Sequence, residues 1–461
     1  MRSSAFVLGT LVLASPAWAD HSSLHATASG EVATTDNLFA AGSGGDRQAD
    51  MFFTVRPGLL YAYDAPQMIH DFTAEAEILE YLIHSERPLV TGRAGWKSLF
   101  FTGPRSQLTM TINAGTGLLT ALASRTTSDQ TTTTVTPAGQ VDVQEADTSE
   151  SLSWISGKHT RVSQGVIGRY GYTDDRNGTT TDTREIGADV GFERTFDKNT
   201  VALDAQVSYL QLERIAPAGA IMRSRLDQQI NPRATLAWRH DLTKQWSTNF
   251  DGGIVFVNPV GTDKYSPSSP RRSGTFGIYS GQLAYSEVWG RAVLSGQRNV
   301  APNLYLAQNT VNDQASVQVA LPLPWLDETR RNPKLVALGS AGIERTQIID
   351  ATTGAPAGDF KLARLDVTLG WTPRPGQTYG VRYEATYQTG DSIAVMAIPS
   401  FYRNTIYFTF SLRYPDRVIG ELPKRRPSMR SDRNDMTPGG SSADVLSPDL
   451  FGDQQDESGR E

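Results

Sequence analysis

Hydrophobic and polar residues alternate with a period of two along most of the chain. Between Asn404 and Tyr414, one side carries Ile406, Phe408, Phe410, Leu412 and Tyr414, and the other Thr405, Tyr407, Thr409, Ser411 and Arg413. Between Thr378 and Gln388, Tyr379, Val381, Tyr383, Ala385 and Tyr387 alternate with Gly380, Arg382, Glu384, Thr386 and Gln388. Each such stretch is a strand with one apolar and one polar face. The pattern predicts strands over 24–34, 50–64, 68–82, 91–101, 106–117, 150–157, 163–174, 182–195, 199–212, 227–240, 245–257, 273–286, 288–298, 309–321, 334–349, 360–372, 377–388 and 403–414. That is about eighteen strands, within a range of 16–18, many close to the ~10 residues a tilted membrane strand needs.

The connections alternate as well. Short turns fall at Thr102–Arg105, Asp197–Asn199, Asp241–Lys244 and Pro373–Gly376. Long polar loops fall at Ala40–Ala49, Arg125–Ser149, Asp174–Asp182, Arg214–Asp227, Pro259–Arg272, Ala301–Asn309, Asp350–Asp359 and Gly390–Arg403. Leu323–Pro333 is a long connection on the short-turn side. A soluble sandwich has no reason to collect its long loops at one end, whereas a membrane barrel has short periplasmic turns and long external loops. The expected fold is therefore all-β, a transmembrane antiparallel up-and-down β-barrel. An even strand number leaves both termini in the periplasm.

Composition then fits into place. The chain has 461 residues, 39% of them hydrophobic, and a formal charge of −6. Its mean hydropathy of −0.35 is too low for a helical membrane protein. No cysteine is present, which removes disulfides, thiol catalysis and cysteine-type metal sites. Mild acidity without a basic stripe argues against nucleic acid as a partner. Arg2, the apolar run from Ala5 to Leu13 and Ala17-Trp18-Ala19 form a secretory leader over 1–19. The leader alone also suits a soluble periplasmic or secreted protein; the alternating strands favour a barrel in the cell outer membrane, over 20–415. The segment 416–461 has Lys424-Arg425-Arg426, turns acidic from Asp435 onward and is rich in Pro, Gly, Ser and Asp, the composition of a disordered periplasmic tail.

No catalytic motif emerges. G-x-S-x-G, H-E-x-x-H and the phosphate-binding G-x-x-x-x-G-K are all missing, and no cofactor or metal is implied. His21 and His25 follow the leader and read as part of an unstructured N-terminus; His240 next to Asp241 reads as a hydrogen-bonded turn. The polar strand faces are more informative. If the apolar stripes meet lipid, the opposite stripes line a lumen. Candidate lumen acids are Asp71, Glu75, Glu77, Glu185, Asp189, Glu193, Asp204, Asp251, Asp366 and Glu384; candidate bases are Arg169, Arg233, Arg239, Arg364, Arg382 and Arg413. These charges either pair across the lumen and solvate it, or line a water-filled path whose field selects solutes. A dry core would lose several kcal/mol per unpaired ion, so a wet interior is favoured. Barrels of ~16–18 strands leave such a channel. The first strand follows the leader too closely for a plug domain. The loop Arg125–Ser149, with Thr131 to Thr134, is long enough to fold inward as a constriction or to extend freely outside.

Three segments carry a family resemblance: Thr34-Thr35-Asp36-Asn37 after the first strand, Val55-Arg56-Pro57-Gly58 in the second, and Glu150-Ser151-Leu152-Ser153-Trp154 after the Thr-rich loop. With them, residues 24–415 resemble outer-membrane barrels of exopolysaccharide secretion pathways of the myxobacterial type. These are similar to the barrel domain of poly-N-acetylglucosamine export porins without its helical repeats. The resemblance implies a passive conduit for a polysaccharide cargo. It implies as neighbours a periplasmic polysaccharide-export protein and an inner-membrane copolymerase, beside outer-membrane lipid and the barrel assembly machinery. Two other functions stay open, a general diffusion porin or small-solute channel and a non-conducting structural or adhesion barrel.

Overall fold

The computed structural model describes residues 22–38, 47–84, 88–118, 141–156, 159–175, 178–220, 223–268, 271–287, 289–303, 306–323, 334–350, 352–374, 376–390 and 400–414. The leader 1–19, His21, the tail 416–461 and most of the Thr-rich connection lie outside these residues. Eighteen strands form one sheet. They are β1 (Ser22–Thr35), β2 (Asp50–Ala65), β3 (Met68–Tyr81), β4 (Leu89–Gly103), β5 (Ser106–Leu118), β6 (Val141–Ser156), β7 (Thr160–Asp175), β8 (Thr180–Phe196) and β9 (Asn199–Ile215). They continue with β10 (Arg225–Asp241), β11 (Trp246–Pro259), β12 (Gly274–Glu287), β13 (Gly290–Asn303), β14 (Gln308–Pro322), β15 (Leu335–Asp350), β16 (Ala355–Arg374), β17 (Gln377–Gly390) and β18 (Phe401–Tyr414). Each strand pairs antiparallel with its neighbours in sequence, and β1 pairs with β18 from Ala26↔Tyr414 to Thr35↔Thr405. The sheet is thus a closed barrel, which leaves no open edge.

The period-two pattern decides which way each face points. Outward positions carry exposed apolar side chains, such as Val190, Leu203, Leu236, Phe250, Val367 and Phe408. Alternate positions point inward and are polar or buried. Exposed apolar side chains all round a closed sheet, with charge inside it, make a transmembrane barrel. Aromatic side chains collect near the end that carries the chain termini. There His70 stacks between Tyr63 and Trp96, Trp238 stacks on His240, and Tyr285 lies between Trp246 and Trp289. Tyr170, Tyr209, Tyr387 and Tyr402 stand on the outer face toward the opposite rim. These two bands match the interfacial girdles that bracket a lipid belt. At Gly30 a neighbouring ring covers the belt: a Cβ there would lie 2.5 Å from Phe410 Cε1.

Two local expectations need correction. The stretch before Glu150 is not loop: β6 begins at Val141, and Val141 and Val143 are buried on its inner face. His25 is not in an unstructured N-terminus but is a fully buried inward residue of β1, opposite Leu60.

At the rim away from the termini, the wall is continued by an unusual contact. The β12–β13 ladder starts only at Tyr279↔Arg298, so Gly274–Ile278 have no partner in β13. The β15–β16 turn reaches across to them. Gly354 has φ +67°, and a Cβ there would lie 2.6 Å from Ser273 O. Gly219 has a similar φ of +85° with open space around it. Gly354→Ala is expected to lower barrel stability by roughly 1–3 kcal/mol more than Gly219→Ala, because only the first adds a backbone clash to the left-handed strain. Midpoints of heat-modifiable gel migration measure the difference; equal midpoints would refute the contact.

Candidate functional site in the lumen

The gap beside β12 exists because the tip of the β13–β14 hairpin turns into the barrel. Asn309, Thr310, Val311 and Asn312 are all buried, so alternation fails and both faces of this strand end meet protein. Val311 packs with Val255, Val257, Phe276 and Ile278 from the inner faces of β11 and β12, and with Ile349. Ala307 packs on Leu210 and Leu212 of β9. Arg214 Nη1 donates to Leu306 O at 2.6 Å, Asn309 Nδ2 donates to Gln229 Oε1, and Asn303 Oδ1 accepts from Leu306 N at 2.9 Å. The hairpin therefore crosses part of the lumen and is clamped at its tip to β9 and β10. Apolar burial and charge-assisted hydrogen bonding both hold it there.

Beneath the hairpin is a polar recess of about 180 Å³, lined by Arg233, Asn249, Asp251, Gln282, Gln297 and Gln314 among others. Gln297 Nε2 donates to Gln314 Oε1 at 2.6 Å, and Ser295 and Ser316 share a hydrogen bond of 2.7 Å.

The remaining wall is charged. Asp71, Glu75 and Glu77 on β3, Glu185, Asp189 and Glu193 on β8, Asp204 on β9 and Asp251 on β11 all have inward parity, as do Asp366 on β16 and Glu384 on β17. So do Arg169 on β7, Arg233 and Arg239 on β10, Arg364 on β16, Arg382 on β17 and Arg413 on β18. The structure draws some of them into two networks. In the first, Arg56 lies 2.8 Å from Glu31, 2.5 Å from Glu77 and 4.0 Å from Glu75, which also meets Arg93 at 3.0 Å. In the second, Arg382 bridges Asp366 and Glu384, and Arg403 reaches Glu384 at 3.5 Å. Arg382 also sits over the ring of Tyr407, which packs against Phe52 and so links the networks across β18, β1 and β2. Arg169 pairs with Glu185 at 3.0 Å. Asp71 stands opposite Lys97, and Arg239 lies 4.0 Å from Asp241 near the terminal end. Asp189 and Asp204 stand opposite glycines, Gly165 and Gly191, and their carboxylates fold over them: a Cβ at either glycine would lie 2.8 Å from the aspartate's Oδ1.

Sequence reasoning missed Glu31, Arg56, Arg93, Lys97, Glu145, Asp147, Arg161 and Arg403. Their inward parity was available in the alternation for all but Glu145 and Asp147, which fell in the stretch read as loop, and Arg161, which fell between two predicted strands. The inward hairpin had no such signal, because alternation does not say that a strand pair leaves the wall.

Charge is unevenly spread around the lumen. On β6 to β9, Arg161, Arg169 and Arg214 stand against Glu145, Asp147, Asp175, Glu185, Asp189, Glu193 and Asp204. On β10 to β13, Arg225, Arg233, Arg239 and Arg291 stand against Asp227, Asp241 and Asp251. The lumen thus has an acid-rich wall on one side and a more nearly balanced one on the other. Among the described residues, no group of three or more acids and histidines is arranged to hold a metal ion.

Fold and lumen together define an outer-membrane type β-barrel with a charged interior. No protein-family model matches the chain. No curated protein matches it in sequence. Among solved structures, the chain is similar to OccAB3 of Acinetobacter baumannii, with 10% identity, a TM-score of 0.45 and coverage of 85% of this chain and 99% of that one. It is similar to OccK2 (OpdF) of Pseudomonas aeruginosa at 11% identity and a TM-score of 0.46, covering 85% and 98%. The outer membrane protein opdK of Pseudomonas aeruginosa gives 11% identity and a TM-score of 0.43, covering 85% and 99%.

Proposed function

We propose that the protein is an outer-membrane diffusion channel for small polar solutes, with its termini in the periplasm and the hairpin rim outside. The observation that carries this reading is the clamped β13–β14 hairpin. It narrows a wide barrel to a polar passage and is held by a buried apolar cluster, so it acts as a fixed filter. Scattered charges that are already paired bind passing solutes weakly, which suits diffusion.

The polysaccharide cargo implied by the sequence resemblance has less support. Sugar rings are gripped through their CH faces by exposed aromatic rings. The inward rings Phe52, Phe276, Phe360, Phe401 and Tyr407 are all buried among other side chains. Exposed rings such as Phe408, Trp289 and Tyr387 are on the outer face.

Purified protein in planar bilayers tests the proposal. Stepwise ion conductance, together with liposome swelling in small charged or neutral solutes, is expected. A protein that carries no current, or whose deletion removes surface polysaccharide while leaving solute uptake intact, would refute it. The acid-rich wall adds a second expectation. Reversal potentials across a salt gradient should show cation preference, and Asp189→Asn with Asp204→Asn should move it toward neutrality. Unchanged reversal potentials would show that this wall does not set selectivity.

A further inference from the structure

Among the described residues, one ionisable side chain faces lipid near the middle of the belt. Glu150 is exposed on the outer face of β6, between Met110 of β5 and Val166 of β7. Trp154 lies four residues toward the terminal end, and the Ala146↔Tyr170 pair four residues toward the far rim. At a rise of ~3.4 Å per residue and a tilt of ~40°, each is about 10 Å away in height. Glu150 is therefore near the bilayer midplane. Corresponding positions elsewhere carry Val190, Leu203, Leu236, Val367 and Phe408. An ionisable residue at such a depth ordinarily marks a functional contact.

Gln164 is its neighbour. It is exposed on the outer face of β7, opposite Leu152 and diagonal to Glu150. Neither Glu150 nor Gln164 makes a hydrogen bond or ion pair with the described residues. The tilt of the barrel puts the two at one level. Following the ladder from Thr27, the partners are Gly58, Glu75, Arg93, Gly115, Glu145, Gly171, Thr183, Leu212 and Asp227. Thr27 lies in the half of β1 nearer the termini, whereas Asp227 is two residues from the far-rim end of β10. Each step in strand number thus climbs toward the far rim, by ~3 Å for a ~4.8 Å strand spacing. Gln164 is one residue pair down β7 from Val166, a drop of ~5 Å, so it ends within ~2 Å of the height of Glu150.

This placement is self-complementary. Rotation by 180° about an axis along the membrane normal, running between β6 and β7, keeps height and exchanges left for right. It sets the Glu150 carboxylate of one copy against the Gln164 amide of the other, and the reverse contact forms at the same time. Such reciprocity is the signature of an isologous interface. The surroundings suit close approach, because Ala146, Thr148 and Gly168 leave the surface flat beside the pair. We infer that the outer face of β6 and β7 binds a second copy of this chain, through reciprocal Glu150–Gln164 hydrogen bonds inside the lipid belt.

The natural absence of cysteine makes the test clean. Val166→Cys and, as a control on the far side of the barrel, Phe408→Cys are oxidised in native outer membranes. Val166→Cys is expected to give a disulfide-linked species of twice the monomer mass, at least tenfold more than Phe408→Cys. Adding Glu150→Leu should abolish that species while heat-modifiable migration reports an intact barrel; adding Glu150→Gln, which keeps a hydrogen-bonding head, should preserve it. Linkage at Val166→Cys no greater than at Phe408→Cys, an adduct to a protein of another mass, or linkage undiminished by Glu150→Leu would each overturn the inference.

Discussion

Replacing the tip Asn303–Gln308 with a two-residue Asn-Gly turn is expected to raise single-channel conductance severalfold. Ion flow through a wide barrel is limited at its narrowest section, and the hairpin occupies lumen that water would otherwise fill. Among the described residues, the tip bears on the barrel through Leu306, Ala307 and the strand ends beside them. Its removal takes away only the Leu306 O acceptor of Arg214, which keeps its bond to Arg223 O, and leaves Gln229 with Asn309 and Asp227. The wall is spared, because the β13–β14 ladder continues to Arg291↔Ala320. A milder variant separates clamp from bulk. Arg214→Ala deletes the bond to Leu306 O and leaves the tip in place, so current noise should rise more than mean conductance. Equal conductance in the tip-deleted and natural proteins would show that the narrowest section lies elsewhere.

The second large effect concerns the belt. Phe408 lies midway along β18 between Tyr402 and Tyr414 and is 59% exposed on the outer face. Phe408→Arg is expected to cost about 2–4 kcal/mol, the depth-dependent penalty for a guanidinium against lipid near the midplane. Thr409→Arg, one residue on, points into the lumen opposite Glu31 and should be nearly neutral. Unfolding titrations in liposomes measure both. Similar losses from the two would reverse the assignment of faces.

Most of the fold was legible because strand alternation is local. A side chain's neighbours two residues away decide its face, and β8, β9 and β16 to β18 show the pattern clearly. The first half of β6 was not legible for a physical reason. Its outer positions are Asp142, Gln144, Ala146, Thr148 and Glu150, so it lacks the apolar stripe that identifies a membrane strand. The same polarity that hid the strand is what marks its surface as unusual. Charged lumen positions followed from parity, so Glu384 and Asp366 could be named in advance. Their partnership with Arg382 and Arg403 depends on which strands are adjacent and in what register, and local alternation does not contain that. The inward hairpin is less legible still. Val311 looks like any apolar strand residue, and only the missing β12–β13 pairs reveal that it meets the inside of the wall.

The tucked hairpin also separates two histories of change. With the termini in the periplasm, as proposed, a phage or antibody arriving from outside meets the β15–β16 turn and the exposed segment near Tyr265, while Leu306 and Ala307 are buried. Surface escape from such agents can therefore proceed at the outer turns without altering the filter. Conversely, a shift in which nutrients or toxins enter the cell can arise at the tip without changing the face presented to an attacker.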